Sequence, residues 1–227
     1  MSFQIAIDGP VAAGKGTVAK LVAKRLGYLY VDTGATYRIA AFLAKEADID
    51  LTDEAKVAAL ADQADINMHN PKAEENDGRQ TTVIVNGKDI SWAIRTEEIG
   101  KGASFVAKHK EVRKVLVKKQ QNIASSQNVV MEGRDITYRV LPNAQLKIYL
   151  TADDKVRAHR RHQELLIRGQ DISYETVLDD LKARDKQDTE RSTDPLQVIP
   201  GAWVLDTSDL TINQVVDQIE QRVKETL

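Results

Sequence analysis

Nine residues near the start of the chain, Gly9-Pro10-Val11-Ala12-Ala13-Gly14-Lys15-Gly16-Thr17, constrain the fold more than any other stretch. Phe3-Gln4-Ile5-Ala6-Ile7 ahead of them is a short apolar run of strand type. Behind them Val18, Leu21, Val22 and Leu26 recur at helical spacing. A strand, a glycine-bounded loop with a lysine, and a helix start form the context that a phosphate-binding P-loop requires. Gly9 and Gly14 let backbone N–H groups turn inward around an anion with no Cβ in the way. The helix beginning near Lys15 aims its positive dipole end at the same point, and Lys15 adds a full charge for the outer phosphates. An ordinary glycine-rich turn is the alternative; the spacing, the lysine and both flanking elements favour the phosphate loop. In one respect the loop departs from the strict pattern: Gly16 separates the lysine from Thr17.

Strand and helix signals alternate along most of the chain. Tyr28-Leu29-Tyr30-Val31 reads as a second strand after a turn at Gly27. A strand–helix–strand unit of this length predicts a parallel pairing with a right-handed crossover. Helices are expected over 35–47 and 53–64, the second capped by Thr52. Residues 65–95 break the alternation: Ile66–His69, Thr81–Val85 and the Asn86-Gly87 turn predict short antiparallel strands around a polar loop at 70–80. Helices follow over 97–108 and 111–125, strands over 128–132 and 145–150, and charged helices over 153–167 and 174–186. A strand at 203–206 and an amphipathic helix at 212–225 close the chain. The expected architecture is α/β of the P-loop NTPase type, with a five-stranded parallel sheet flanked by helices.

Composition narrows the function classes. The 227 residues are ample for a buried core, and the net charge of −2 argues against a general nucleic-acid binder. The absence of cysteine excludes disulfides and thiolate chemistry. No apolar run reaches membrane-spanning length and no signal-peptide pattern opens the chain, so a soluble cytoplasmic protein without a membrane partner is expected. His69, His109, His159 and His162 have no ligand-like or triad spacing and are expected to be surface or helix residues.

Several clusters beyond the loop could carry chemistry. Asp32-Thr33-Gly34-Ala35-Thr36-Tyr37-Arg38 follows a strand end, where open α/β sheets take ligands. Arg38 there is either a phosphate fork or a surface arginine beside a helix cap. Glu132-Gly133-Arg134-Asp135 follows another strand end and is either a site or a surface ion pair. The run from Arg184 to Arg191 reads, on pattern alone, as solvated charge at a helix end. Arg157, Arg161 and Arg168 share roughly one helix face. They form either a solvated surface or a mobile cover that brings charge to the phosphates of a bound nucleotide.

With these clusters in order, the chain resembles the bacterial cytidylate kinases over essentially its whole length. The Gly14-Lys15-Gly16-Thr17 ending is similar to that of adenylate-kinase-like nucleoside monophosphate kinases, in which the threonine lies near magnesium. The resemblance also rests on 32–38, on Ile94-Arg95-Thr96 through Ala103-Ser104 to Val112-Arg113, on Gly133-Arg134-Asp135, and on Arg184-Asp185 with Asp188 and Arg191. The family commonly has an aspartate where this chain has Glu132, and Gly-Thr where it has Thr137-Tyr138.

The resemblance implies phosphoryl transfer from ATP to CMP and dCMP with Mg²⁺ near Thr17, mostly through water, by a monomeric enzyme. It implies that Gly9 to Thr17, with Arg157 and Arg161, bind ATP. Thr33, Tyr37 and Arg38 would line the CMP phosphate and sugar, and Ser104, Arg113 and Asp135 the cytosine. Arg134 would bind phosphate, Arg184 and Asp188 would contact ribose, and Arg191 would reach the phosphates between the nucleotides. Lys15, Arg134, Arg184 and Arg191 are then the catalytic set. The division it implies is a core at about 1–62, 96–152 and 188–227, an inserted acceptor-binding β-unit at about 63–95 and a lid at about 153–187.

The base-reading set is chemically coherent. A carboxylate and a hydroxyl can accept from the cytosine amine, while an arginine donates to N3 and O2. Uracil would mismatch the carboxylate and the arginine. A kinase for another small acceptor (UMP, AMP or shikimate) and a non-catalytic nucleotide-binding module are the other readings.

Overall fold

A computed structural model describes residues 2–75, 77–167 and 169–226; Arg168, expected on one face with Arg157 and Arg161, lies outside the described residues. In chain order, β1 (Gln4–Asp8) leads into α1 (Lys15–Leu26), β2 (Leu29–Asp32), α2 (Thr33–Glu46) and α3 (Glu54–Gln63). Then come β3 (Ile66–His69), β4 (Thr82–Val85), β5 (Lys88–Asp89), α4 (Glu97–Val106) and α5 (Lys110–Ser125). The chain closes with β6 (Val129–Gly133), β7 (Leu146–Thr151), α6 (Asp154–Ile167), α7 (Tyr174–Glu190), β8 (Trp203–Asp206) and α8 (Ile212–Thr226).

The main sheet is parallel and five-stranded, in the order β2-β6-β1-β7-β8. Ile5, Ala6 and Ile7 of β1 and Val129, Val130 and Met131 of β6 are fully buried. Such unbroken apolar runs suit central strands of a parallel sheet. The expected direct pairing of β1 with β2 does not form, because β6 lies between them. Leu29 N–H donates to Asn128 O at 2.9 Å, and Val129 N–H donates to Phe3 O at 3.0 Å. Local periodicity shows only that the chain returns parallel; the later, more apolar Val129-Val130-Met131 takes the inner position.

The 65–95 region forms a separate antiparallel sheet, β3-β4-β5, with Ile66 opposite Val85. Its hairpin turn holds Asn86 at φ 50° and Gly87 at φ 78°, the left-handed pair that a two-residue turn needs. Two boundaries differ from expectation. Asp53, not Thr52, caps α3, accepting from Lys56 N–H at 3.1 Å; the Thr52 hydroxyl instead donates to Asp50 at 2.8 Å. Helix α7 runs on to Glu190, so the charged run from Arg184 is helical.

The chain divides into two compact units, Met1–Gln4 with Gly27–Met131 and Ile5–Leu26 with Glu132–Leu227. In the first, Tyr37, Ala40, Val57, Ala61, Val106 and Leu116 belong to one apolar core joining α2, α3, α4 and α5. Gly102 permits the close approach of α4, since a Cβ there would lie 3.1 Å from the Ala41 methyl. In the second, α8 buries Val215, Val216, Ile219 and Val223, and Arg25 of α1 bonds Asp217 at 2.5 Å and Glu220 at 3.0 Å. Among the described residues no helix is long and apolar enough to cross a membrane.

Candidate active site

In the second unit the chain leaves β1 at Asp8 and turns through Gly9 to Gly14 into α1. Only glycine fits at position 9: its φ is 155°, and a Cβ would come within 2.0 Å of the Leu150 carbonyl oxygen. Ala12 at φ 57° and Gly14 at φ 88° reverse the chain so that successive N–H groups turn toward one side. Val18 N–H donates to Gly14 O at 3.0 Å as α1 begins. The amides of Lys15, Gly16 and Thr17 are therefore the uncommitted donors of a helix start. Lys15 is buried, and its Nζ donates to Pro10 O at 2.7 Å. Burial and the nearby Arg134 guanidinium lower its pKa to about 7, against the pull of Glu132, Asp8 and Asp188.

Asp8 organises the segment after β6. Fully buried, its carboxylate accepts from Ile136 N–H at 2.8 Å, Thr137 N–H at 2.8 Å and the Thr137 hydroxyl at 2.6 Å. Burial pushes the Asp8 carboxyl above its usual range, and these hydrogen bonds only partly restrain it. A carboxyl buried at such a cost is held there by the three hydrogen bonds whose geometry it imposes. That geometry is a π-helical turn, Ile136–Val140, in which Leu141 N–H reaches Ile136 O at 2.7 Å. Thr137 and Tyr138 both anchor this turn: Thr137 on Asp8, and Tyr138 through its hydroxyl to Pro195 O at 2.6 Å. The sequence offered one signal for Asp8, a carboxylate closing an apolar strand just before the loop.

The turn fixes the two residues before it. Arg134 Nε donates to Asp188 of α7 at 2.6 Å. Burial alone would weaken this cation, but Asp188, with Glu132 and Asp185, more than offsets it and raises its pKa. Asp135 is buried, with the Arg191 guanidinium 3.7 Å from its Oδ1. Arg191, the C-cap of α7, also donates from Nε to Asp194 O at 2.7 Å. Arg184 reaches the surface, yet desolvation by the packed protein and repulsion from Arg134, with a smaller push from Arg161, lower its pKa. Arg134 thus repels both Lys15 and Arg184. Cations held close enough to disfavour one another form a site suited to an anion of several charges.

Arg157 fits neither reading of its helix face, the solvated surface or the mobile cover. It is buried, and its guanidinium bonds Ala152 O at 3.0 Å, Val11 O at 2.8 Å, Asp154 at 2.5 Å and Asp185 at 2.7 Å. Helical spacing puts residues on a face but cannot tell which neighbours cover that face. Arg161 is partly exposed and pairs with Glu164 at 2.8 Å.

The remaining expected residues belong to the first unit. Thr33 opens α2, and its carbonyl accepts from the Thr36 hydroxyl at 2.8 Å. Thr36 accepts in turn from buried Gln120 of α5 at 2.7 Å. Arg38 bonds Ile94 O at 3.1 Å, and its guanidinium covers Gly100, where a Cβ would lie 3.1 Å from it. Arg113 is buried 5.6 Å over the Tyr37 ring, and Ser104 donates to Gly100 O at 3.2 Å. Tyr37 and Arg113 are thus brought together, as are Arg38 and the helix that bears Ser104.

The family model for cytidylate kinase matches residues 5–225. A cytidylate kinase of Bacillus subtilis is 46% identical over 223 residues, 98% of this chain and 97% of its own. One of Caldanaerobacter subterraneus is 43% identical over 224 residues, 99% and 96% of the two chains. The chain belongs to the cytidylate kinase family. The solved structure of an uncharacterized protein from Eubacterium ventriosum covers 98% of this chain and 99% of its own at a TM-score of 0.53 and 12% identity, a likeness of fold alone.

Within the cytidylate kinase family, a kinase with nucleotide substrates and ATP as donor is implied. Arg95 and Gln120 had no assigned role in the sequence. Arg95 pairs with Asp32 at the end of β2 at 2.9 Å, and Gln120 braces the start of α2 through Thr36. A polar residue on the apolar face of α5 was the available signal for Gln120. Three histidines are taken up in structural hydrogen bonds: His69 with Glu75, His109 with Leu51 O and His162 with Ile172 O. Among the described residues no three His, Cys, Asp or Glu side chains cluster as a metal cage, while Thr17 is exposed on the first turn of α1. That donor set fits a hard cation held chiefly by water and phosphate oxygens.

Proposed function

We propose that the chain transfers the γ-phosphoryl group of ATP to CMP and dCMP with Mg²⁺, releasing ADP with CDP or dCDP. A phosphate oxygen of the acceptor forms the new bond to the γ-phosphorus as the bond to the β-bridging oxygen breaks. The observation that carries this reading is Arg134 set close enough to repel both Lys15 and Arg184, beside a glycine loop that ends in free helix amides. Phosphoryl transfer asks the protein mainly for positioning and charge neutralisation. The loop amides and Lys15 hold the donor phosphates, while Arg134, Arg184 and Arg191 orient the acceptor phosphate and spread the developing charge. Mg²⁺, held by the Thr17 hydroxyl, water and phosphate oxygens, would add neutralising charge there.

In the first unit, Thr33, Tyr37 and Arg38 serve the CMP phosphate and sugar, and Ser104 and Arg113 the base. In the second, Asp135 accepts from the cytosine amine, and Arg184 and Asp188 hold the ribose. Arg161 is the partly exposed cation available to ATP on α6. The sheet β3-β4-β5 is the acceptor-side insertion, and the helices α6 and α7 form a lid that excludes water.

A coupled ADP-release assay over CMP, dCMP, UMP, AMP and shikimate tests the reading. Turnover of CMP and dCMP is expected to lead by a wide margin. Strong activity on AMP with none on CMP would overturn it, and nucleotide binding without turnover would favour a non-catalytic module.

The base contact has its own test. In Asp135→Asn the amide can present an N–H to uracil O4, and the pair with Arg191 weakens. Mismatched buried polar groups cost about 1–3 kcal/mol each, so kcat/KM for CMP is expected to fall roughly 10–100-fold. The preference for CMP over UMP should narrow while ATP binding holds. An equal loss for both acceptors would make Asp135 a positioning residue instead.

A further inference from the structure

We propose that Asp185 and Arg157 are positioning residues that act together as a clamp on the phosphate loop, through the backbone of Val11. Both backbone polar groups of that residue are taken up by this one ion pair. Val11 N–H donates to Asp185 Oδ1 at 3.1 Å, and Val11 O accepts from the Arg157 guanidinium at 2.8 Å. The ring closes with Arg157 and Asp185 bonded to each other at 2.7 Å. Arg157 is then tied down by Ala152 O, just after β7, at 3.0 Å and by Asp154, the first residue of α6, at 2.5 Å. Its side chain is 4% exposed and that of Asp185 20%, so solvent competes little for the pair.

The loop needs such a hold. Ala12, the next residue, carries a left-handed φ of 57°, which a residue with a Cβ keeps only when its surroundings impose it. Gly14 and the amides that open α1 follow directly. A shift at Val11 is therefore passed to the donors that the phosphates meet. Asp185 also sits between Arg184 and Asp188 on α7, and Asp188 holds Arg134 at 2.6 Å. One turn of α7 thus sets the register of the donor loop against the arginines assigned to the acceptor phosphate. Misplacement by about 1 Å costs on the order of 10²-fold in such reactions.

This inference rests on the kinase reading for its kinetic arm, but its binding arm does not. For Asp185→Ala, kcat is expected to fall roughly 10–100-fold. The affinity for a non-hydrolysable ATP analogue, measured without acceptor, should weaken about 10-fold, with KM for CMP changed less than about 3-fold. Asp185→Asn keeps an acceptor for Val11 N–H and should recover part of the ATP affinity; it also carries the test if the alanine variant does not fold. Asp185→Ala and Arg157→Ala should be non-additive, the double variant being no worse than Arg157→Ala alone. Normal ATP-analogue affinity in a folded Asp185→Ala, or fully additive losses, would overturn the clamp. A merely structural role would lower Tm and leave the ATP affinity of the folded fraction intact, which also counts against it. If the wild type fails to phosphorylate CMP while Asp185→Ala still loses analogue affinity, the acceptor assignment falls and the clamp stands.

Discussion

Lys15→Ala is expected to lower kcat by roughly 10³-fold, the upper end for removing one preorganised charge stabiliser, in a protein that still folds. Lys15 is the first residue of α1, and the hydrogen bond of its Nζ goes to Pro10 O in the same loop, so the variant breaks no tie to a distant element. The stability signature has a definite sign. Burial lowers the Lys15 pKa from 10.5 in the unfolded chain to about 7 in the folded one. Between those values the unfolded chain binds more protons, so this group makes wild-type stability rise with pH from about 7 toward 10.5. Below pH 7 the full cost of a buried cation is present. Alanine removes that cost, so the Tm of the variant relative to wild type should be most favourable near pH 6 and decline toward pH 9. Bound triphosphate favours the charged lysine, so wild type should take up a proton on binding ATP analogue at pH 8, and Lys15→Ala should not. Calorimetry in buffers of different ionisation heat reads the uptake. Near-normal phosphoryl transfer by a folded Lys15→Ala would contradict the loop assignment.

Arg134→Lys is the second large effect expected, although the substitution keeps the charge. Arg134 spends Nε on Asp188 at 2.6 Å and a second nitrogen on Gly133 O at 3.2 Å, leaving the rest of a planar fork for a ligand. An ammonium is a compact point donor and cannot hold Asp188 while offering a fork to phosphate. A loss of roughly 10²–10³-fold in kcat/KM for CMP is expected, with ATP binding little changed. Arg134→Ala should lose more, because Asp188 is then left without its partner. It should also raise the Lys15 pKa, since Arg134 is one of the groups that lowers it. Proton uptake on binding ATP analogue at pH 8 should then shrink. A CMP efficiency within a few-fold of wild type for the lysine variant would remove Arg134 from the acceptor site.

Much of the fold was legible because its signals are short-range. The glycines, the lysine and the flanking apolar runs of the phosphate loop lie within about one strand and one helix of each other, and each has a local steric or electrostatic reason. Asn86-Gly87 predicted its hairpin for the same reason, through two left-handed residues. The charged run at the end of α7 reads as solvated and so as the helix end; Arg184, Asp185 and Asp188 are helical, and the partners of Asp185 and Asp188 lie elsewhere.

The sequence alone determined the phosphate loop, the strand and helix order, the small antiparallel sheet and, through the order of its motifs, the family. Only the tertiary structure decided which strand lies beside β1, which carboxylate holds Arg134, and that Arg157 is buried against the loop instead of exposed on a cover. The physical reason is sequence separation. The Arg134–Asp188 bond spans 54 residues and the Val11–Asp185 bond 174, so neither leaves a periodicity or a spacing in the chain. Such pairs exist only because strands and helices with locally encoded faces pack in one order, and a charge that looks solvated in a string of letters becomes a structural tie when another element covers it.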